Sequence, residues 1–166
     1  MNDSPDSPGS AASPAELEDR IHSGGRIIVG VDGSAASTAA LRRAAHIAAA
    51  LDCSLVAVTT WQFPQSWPGY NISGWSPEED AKLIGAQAAD EVFGAQHPEW
   101  FSIVIREGSP ARQLLAESDG AEMLVVGSRG LGGFAGLLLG SVSSACAEHA
   151  TCPVLVVHTR PEVSAK

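Results

Sequence analysis

The stretch Arg26-Ile27-Ile28-Val29-Gly30-Val31-Asp32-Gly33-Ser34 reads as a short strand closed by a turn. Ile27, Ile28, Val29 and Val31 make a nearly continuous apolar run, the pattern of a strand covered on both faces. Asp32-Gly33-Ser34 breaks the run, because these residue types favour a turn over an extended chain. An alanine-rich helix is expected from Ala35 to Leu51, with Leu41, Ala44, Ala45, Ile47 and Ala48 on its inner face.

Outward from this unit the same alternation recurs. A second strand is expected over Ser54–Thr60, followed by an irregular aromatic stretch over Trp61–Gly74. The next helix should begin with Ser76 as N-cap, Pro77 at the first position and Glu79 completing a capping box, and should end near Gly94. Ser102–Arg106 is the third strand, and Ser109-Pro110 opens a short helix running to about Ser118. Met123–Val126 is the fourth strand. A glycine-rich stretch, Gly127 to Gly140, then leads to a helix over Val142–Ala150, and Val154–Val157 is the fifth strand. Alternation of this kind predicts an α/β fold: one open five-stranded parallel sheet with helices on both faces and right-handed crossovers. Residues 1–24, rich in Ser, Pro, Asp, Ala and Gly, are expected to be a disordered tail, residues 25–160 the folded domain, and residues 161–166 a short C-terminal tail.

Composition narrows the function classes. The 166 residues carry a net charge of −9 and only two lysines, Lys82 and Lys166, so the surface repels phosphate backbones and no nucleic-acid partner is expected. A small anionic nucleotide would need local donors instead. Cys53, Cys146 and Cys152 form no C-x-x-C pair, which argues against zinc and for free thiols in a reducing compartment. No signal peptide and no membrane-length apolar run are found, and a cytoplasmic protein without a membrane partner is expected.

Two strand ends carry unusual chemistry: Gly30-Val31-Asp32-Gly33-Ser34 after the first and Gly127-Ser128-Arg129-Gly130 after the fourth. In open α/β sheets, ligands sit at such carboxyl ends where the strand order reverses. Gly127, two residues, Gly130, nine residues and Gly140-Ser141-Val142-Ser143 bring a flexible backbone to the start of a helix, where unpaired N–H groups attract an anion. Arg129 is the one cation inside the turn, and Ser141 and Ser143 add hydroxyls. These residue types suit a triphosphate held mainly by backbone. A P-loop is excluded because no glycine precedes a lysine. Gly130-Leu131-Gly132-Gly133-Phe134-Ala135 nominally fits G-x-G-x-x-A but follows the wrong strand and lacks its acidic partner.

The spacing Gly127-x2-Gly130-x9-Gly140-Ser141 resembles the nucleotide motif of the universal stress protein family, in its ATP-binding branch. Ile28-Val29-Gly30-Val31-Asp32-Gly33-Ser34 and Cys152-Pro153-Val154-Leu155-Val156-Val157 extend the resemblance over about residues 26–158. It implies an adenine nucleotide alpha hydrolase-like sheet with strand order 3-2-1-4-5 and ATP, with Mg²⁺, between the ends of strands 1 and 4. Carried over by position, Asp32 lies near the ribose or adenine, while Gly30 and Val31 shape the adenine pocket. Thr60 stands where the family lines the adenine with backbone. Gly127, Arg129 and Gly130 border ribose and phosphates, and Gly140, Ser141, Val142 and Ser143 hold the phosphates. The resemblance further implies a homodimer built partly by the Val154–Val157 strand, and a nucleotide-dependent regulator of stress or dormancy acting on a protein partner.

Plainer readings stand beside these. Asp32 can simply start the first helix, Arg129 can be a solvated loop residue, and Ser141 can be an N-cap. Two functional alternatives also stand. One is a weak ATPase or self-phosphorylating enzyme, which the absence of an obvious base or second Mg²⁺ ligand disfavours. The other is a nucleotide-free scaffold.

Overall fold

In the computed structural model, residues 24–63, 75–131 and 138–159 are described. Residues 1–23 of the expected N-terminal tail, the expected C-terminal tail, most of the aromatic stretch and residues 132–137 lie outside them. The element order is β1 (Arg26–Gly30), α1 (Ala35–Leu51), β2 (Ser54–Trp61), α2 (Pro77–Phe93), β3 (Phe101–Glu107), α3 (Pro110–Glu117), β4 (Met123–Gly127), α4 (Ser141–His149) and β5 (Val154–Val157). All strand pairs are parallel, in the order β3-β2-β1-β4-β5. This is the α/β sheet that the alternation predicts. β1 stands at the centre, with Ile27 opposite both Leu55 of β2 and Met123 of β4. The chain builds outward from β1 to one side and then crosses to the other, so the reversal point lies between the ends of β1 and β4.

Successive β1 residues point to opposite faces. Ile27 and Val29 enter a core with α1 and α2, while Ile28 packs with Leu114 of α3 and Cys146 of α4. Ala40, Ala44 and Ala48 are fully buried on one stripe of α1. Their small side chains let the helix lie close to the sheet. Gly127 shows how close: a β-carbon there would stand 2.8 Å from the carbonyl carbon of Ala36. Close packing at the start of α1 therefore requires this glycine.

Three local expectations are adjusted. Trp61 belongs to β2, pairing with Glu107, and is not part of the irregular stretch. Ser76 caps α2 by accepting the Glu79 N–H at 3.4 Å, but the Glu79 carboxylate takes the Lys82 ammonium at 2.7 Å, so only half of the box is seen. α4 begins one residue early, with Gly140 as N-cap and Ser141 at its first position. The plain N-cap reading of Ser141 is thereby excluded.

Candidate functional site

The turn after β1 is held by its own polar groups. Asp32 Oδ1 accepts the Ser34 N–H at 3.0 Å, and the Ser37 hydroxyl accepts the Asp32 N–H at 3.3 Å. Ser34 is the true N-cap of α1, its hydroxyl accepting the Ser37 N–H at 3.1 Å. Gly33 has φ +83°, a left-handed conformation that a side chain would strain. Asp32 therefore shapes the turn without capping the helix.

Its second oxygen reaches across the sheet. Asp32 Oδ2 accepts the Leu131 N–H at 3.2 Å, tying the β1–α1 turn to the β4–α4 loop. A β-carbon on Gly130 would collide with that oxygen. Burial pushes the Asp32 carboxyl upward, but hydrogen bonds from Ser34, Ser37 and Leu131 outweigh it, and its pKa is held below the ordinary 3.8. Near neutral pH it is a carboxylate.

The loop after β4 closes on the start of α4. The Gly140 N–H donates to the Ser128 carbonyl at 2.7 Å, and the Ser144 N–H returns to the Gly140 carbonyl at 3.0 Å. The N–H groups of Ser141, Val142 and Ser143 then have no carbonyl behind them within the helix. Ser143 is 2% exposed, and its hydroxyl donates to the carbonyls of Ser128 and Gly140, both at 3.0 Å. It braces the loop with its hydroxyl proton and offers an incoming anion only its backbone N–H. Ser141 is exposed at the first position, with no capping bond from its neighbour.

Gly140 differs from the other two glycines of its motif. Its φ of −77° is open to any residue, and among the described residues a β-carbon would meet nothing nearer than 3.6 Å. Packing among the described residues does not require glycine here.

These elements surround a cavity of about 550 Å³, within the range of small-molecule sites. It brings together every residue singled out from the sequence: Gly30, Val31, Asp32 and Thr60 from β1 and β2, Gly127, Arg129 and Gly130 from β4 and its loop, and Gly140, Ser141, Val142 and Ser143 from α4. Arg129 is the only Lys or Arg lining it among the described residues. The cavity also takes in residues the sequence did not single out. Val58 and Thr59 come from β2 and Ile84 from α2; Pro110 and Leu114 come from α3, and Ser37, Val126, Leu131 and Leu139 complete the wall. Most are apolar and lie far apart in the chain. Their one legible signal is position: Val58, Thr59 and Val126 sit within three residues of strand ends already marked by glycine or threonine.

Among the described residues no group of three His, Cys, Asp or Glu side chains could hold a metal ion. Among the described residues Asp32 is the only carboxylate lining the cavity, and both its oxygens accept backbone N–H groups. The described residues thus offer no Mg²⁺ cage of their own. No described helix is long and apolar enough to cross a membrane.

A profile described as "Universal stress protein family" matches residues 25–158. The chain is 36% identical over 141 residues to Universal stress protein Rv2623 of Mycobacterium tuberculosis, a match covering 78% of this chain and 44% of that protein. A universal stress protein of Mycolicibacterium smegmatis is 37% identical over 139 residues, covering 81% and 46%. The chain thus spans about half the length of these relatives. Universal stress protein Rv1636 of Mycobacterium tuberculosis is 36% identical over 145 residues, covering 80% and 95%. Among solved structures, a universal stress protein in complex with cAMP superposes with a TM-score of 0.63 at 32% identity, covering 82% of this chain and 98% of that one. UspA from Lactobacillus plantarum shares the fold, with a TM-score of 0.61 at 23% identity, covering 80% and 97%.

Proposed function

This chain belongs to the universal stress protein family, and on that premise we propose that it binds ATP between the ends of β1 and β4 and acts as a homodimer in regulating a stress or dormancy response. One observation carries the nucleotide reading. The N–H groups of Ser141, Val142 and Ser143 have no helical acceptor, Gly140 has room that no described residue fills, and both stand in one cavity with the Asp32 carboxylate. A helix N-terminus of this kind suits phosphate, and a fixed carboxylate suits sugar hydroxyls. The solved relative at 32% identity was crystallised with cAMP, also an adenine nucleotide. With no cage among the described residues, Mg²⁺ would enter as a counter-ion on the phosphates. When bound, it supplies charge neutralisation for the triphosphate.

The direct test is to denature the purified protein and identify the released small molecules by mass spectrometry, then to titrate it with ATP, ADP, AMP and cAMP. Release of ATP, or micromolar ATP binding, is expected. No binding at millimolar ATP with Mg²⁺ would return the scaffold reading, and preference for cAMP would replace the triphosphate with a cyclic nucleotide. Phosphate release abolished by Asp32→Ala would support the ATPase alternative.

The dimer reading rests on β5. Among the described residues it pairs with β4 alone, and each of Val154, Leu155, Val156 and Val157 is only partly buried. An apolar strand edge of this kind invites pairing with a second copy. Light scattering behind size exclusion should give twice the chain mass of 17.1 kDa.

A further inference from the structure

Among the described residues, one buried side-chain polar atom has no hydrogen-bond partner: Thr59 Oγ1. Thr59 is 2% exposed and lines the cavity near the end of β2. The atom sits beneath α2, where a β-carbon built on Gly85 would stand 3.3 Å from it and 2.9 Å from Ile103 Cγ2. Two unfavourable features therefore meet at one seam. Gly85 places a flexible residue inside a helix, and Thr59 buries a hydroxyl away from water and partners. A valine has the same shape as threonine and would leave nothing unsatisfied. Among the described residues no partner gives a reason for the hydroxyl.

The surroundings suggest one. Val31 and Ile84 line the cavity with Thr59, and Ile84 approaches the β-carbon position of Gly33 to 3.4 Å, closing the recess beside the Asp32 turn. An apolar wall of Val31 and Ile84 with the Thr59 hydroxyl beside it suits a flat heterocycle whose edge carries nitrogen atoms.

We propose that Thr59 is a specificity-determining residue that reads the base of the bound nucleotide: its side chain turns about χ1 to hydrogen-bond a polar atom on the base edge. The rotation is needed because the hydroxyl oxygen is buried where it stands, and it is a move between staggered wells. A hydroxyl can donate or accept, so it can meet either a ring nitrogen or an amino group. The proposal rests on the nucleotide reading above.

The test compares wild type, Thr59→Val and Thr59→Ser by calorimetric titration with ATP and with inorganic tripolyphosphate, and by thermal melting without ligand. Thr59→Val should bind ATP about tenfold more weakly, bind tripolyphosphate unchanged, and melt no lower than wild type. Thr59→Ser should recover most of the ATP affinity. Equal ATP binding by wild type and Thr59→Val would overturn the proposal while leaving the nucleotide site intact. Weaker binding of both ligands, or failure of Thr59→Val to fold, would overturn it by making the residue structural. A wild type that binds no ATP would bring down the nucleotide reading and this one together.

Discussion

Alanine placed at each glycine of the Gly127, Gly130, Gly140 motif should separate packing from ligand contact. At Gly127 the new β-carbon would lie 2.8 Å from the Ala36 carbonyl carbon and 2.9 Å from its oxygen, both backbone atoms. Neither can yield cheaply, and overpacking of this kind costs about 1–3 kcal/mol. For a chain of 166 residues, that lowers the melting temperature by roughly 2–12 °C. At Gly140 the nearest atoms are Arg129 Cα and Ser128 O at 3.6 Å, and φ is −77°. Alanine is a poorer N-cap than glycine by roughly 0.5–1 kcal/mol. Restricting the unfolded chain returns about 0.4–1 kcal/mol, so the melting temperature should move by no more than about 2 °C. On the proposed nucleotide reading, the methyl group would crowd a phosphate held by the Ser141 and Val142 N–H groups. Loss of one charge-assisted hydrogen bond, about 1.5–3 kcal/mol, weakens ATP binding roughly 10- to 150-fold. Differential scanning fluorimetry and calorimetric titration on the same samples read both quantities. The reasoning fails if Gly140→Ala binds ATP like wild type, or if it loses as much stability as Gly127→Ala. Gly130→Ala should fall between, because its β-carbon displaces Asp32 Oδ2 and breaks the bond to Leu131.

Three other outcomes are expected. The folded-state pKa of Asp32 lies below its ordinary 3.8, so its contribution to stability is present above that value and is lost as pH falls through the folded value. Asp32→Asn should therefore be less stable than wild type in urea at pH 7, with the gap closing below about pH 4; a constant gap at all pH would contradict this. Ser143→Ala removes the buried hydroxyl that bonds Ser128 and Gly140, and should cost about 1 kcal/mol in a urea melt while reducing ATP affinity less than Gly140→Ala does. Burial raises the Cys146 thiol to about 11, with the nearby Cys152 adding to the effect, so a thiol reagent at pH 8 should leave Cys146 unlabelled in the native protein and label it once urea unfolds the chain.

The sheet and the outline of its rim were legible in the chain itself. Nearly unbroken apolar runs such as Ile27–Val29 and Met123–Val126 can lie only between two covered faces, and that local pattern survives without any tertiary information. The turn residues at Asp32-Gly33-Ser34 and the glycines from Gly127 to Gly140 marked the same two strand ends that border the cavity. What each of those residues does there was decided in three dimensions. Gly127 is glycine because Ala36 lies against it, and Gly130 because Asp32 reaches it. Ser143 bonds inward to carbonyls, although its spacing equally suits a ligand contact. The apolar wall from Val58, Ile84 and Leu114 joins three segments that no local pattern connects. Periodicity records which way a side chain points from its own element; only the packing of distant elements determines what it meets there.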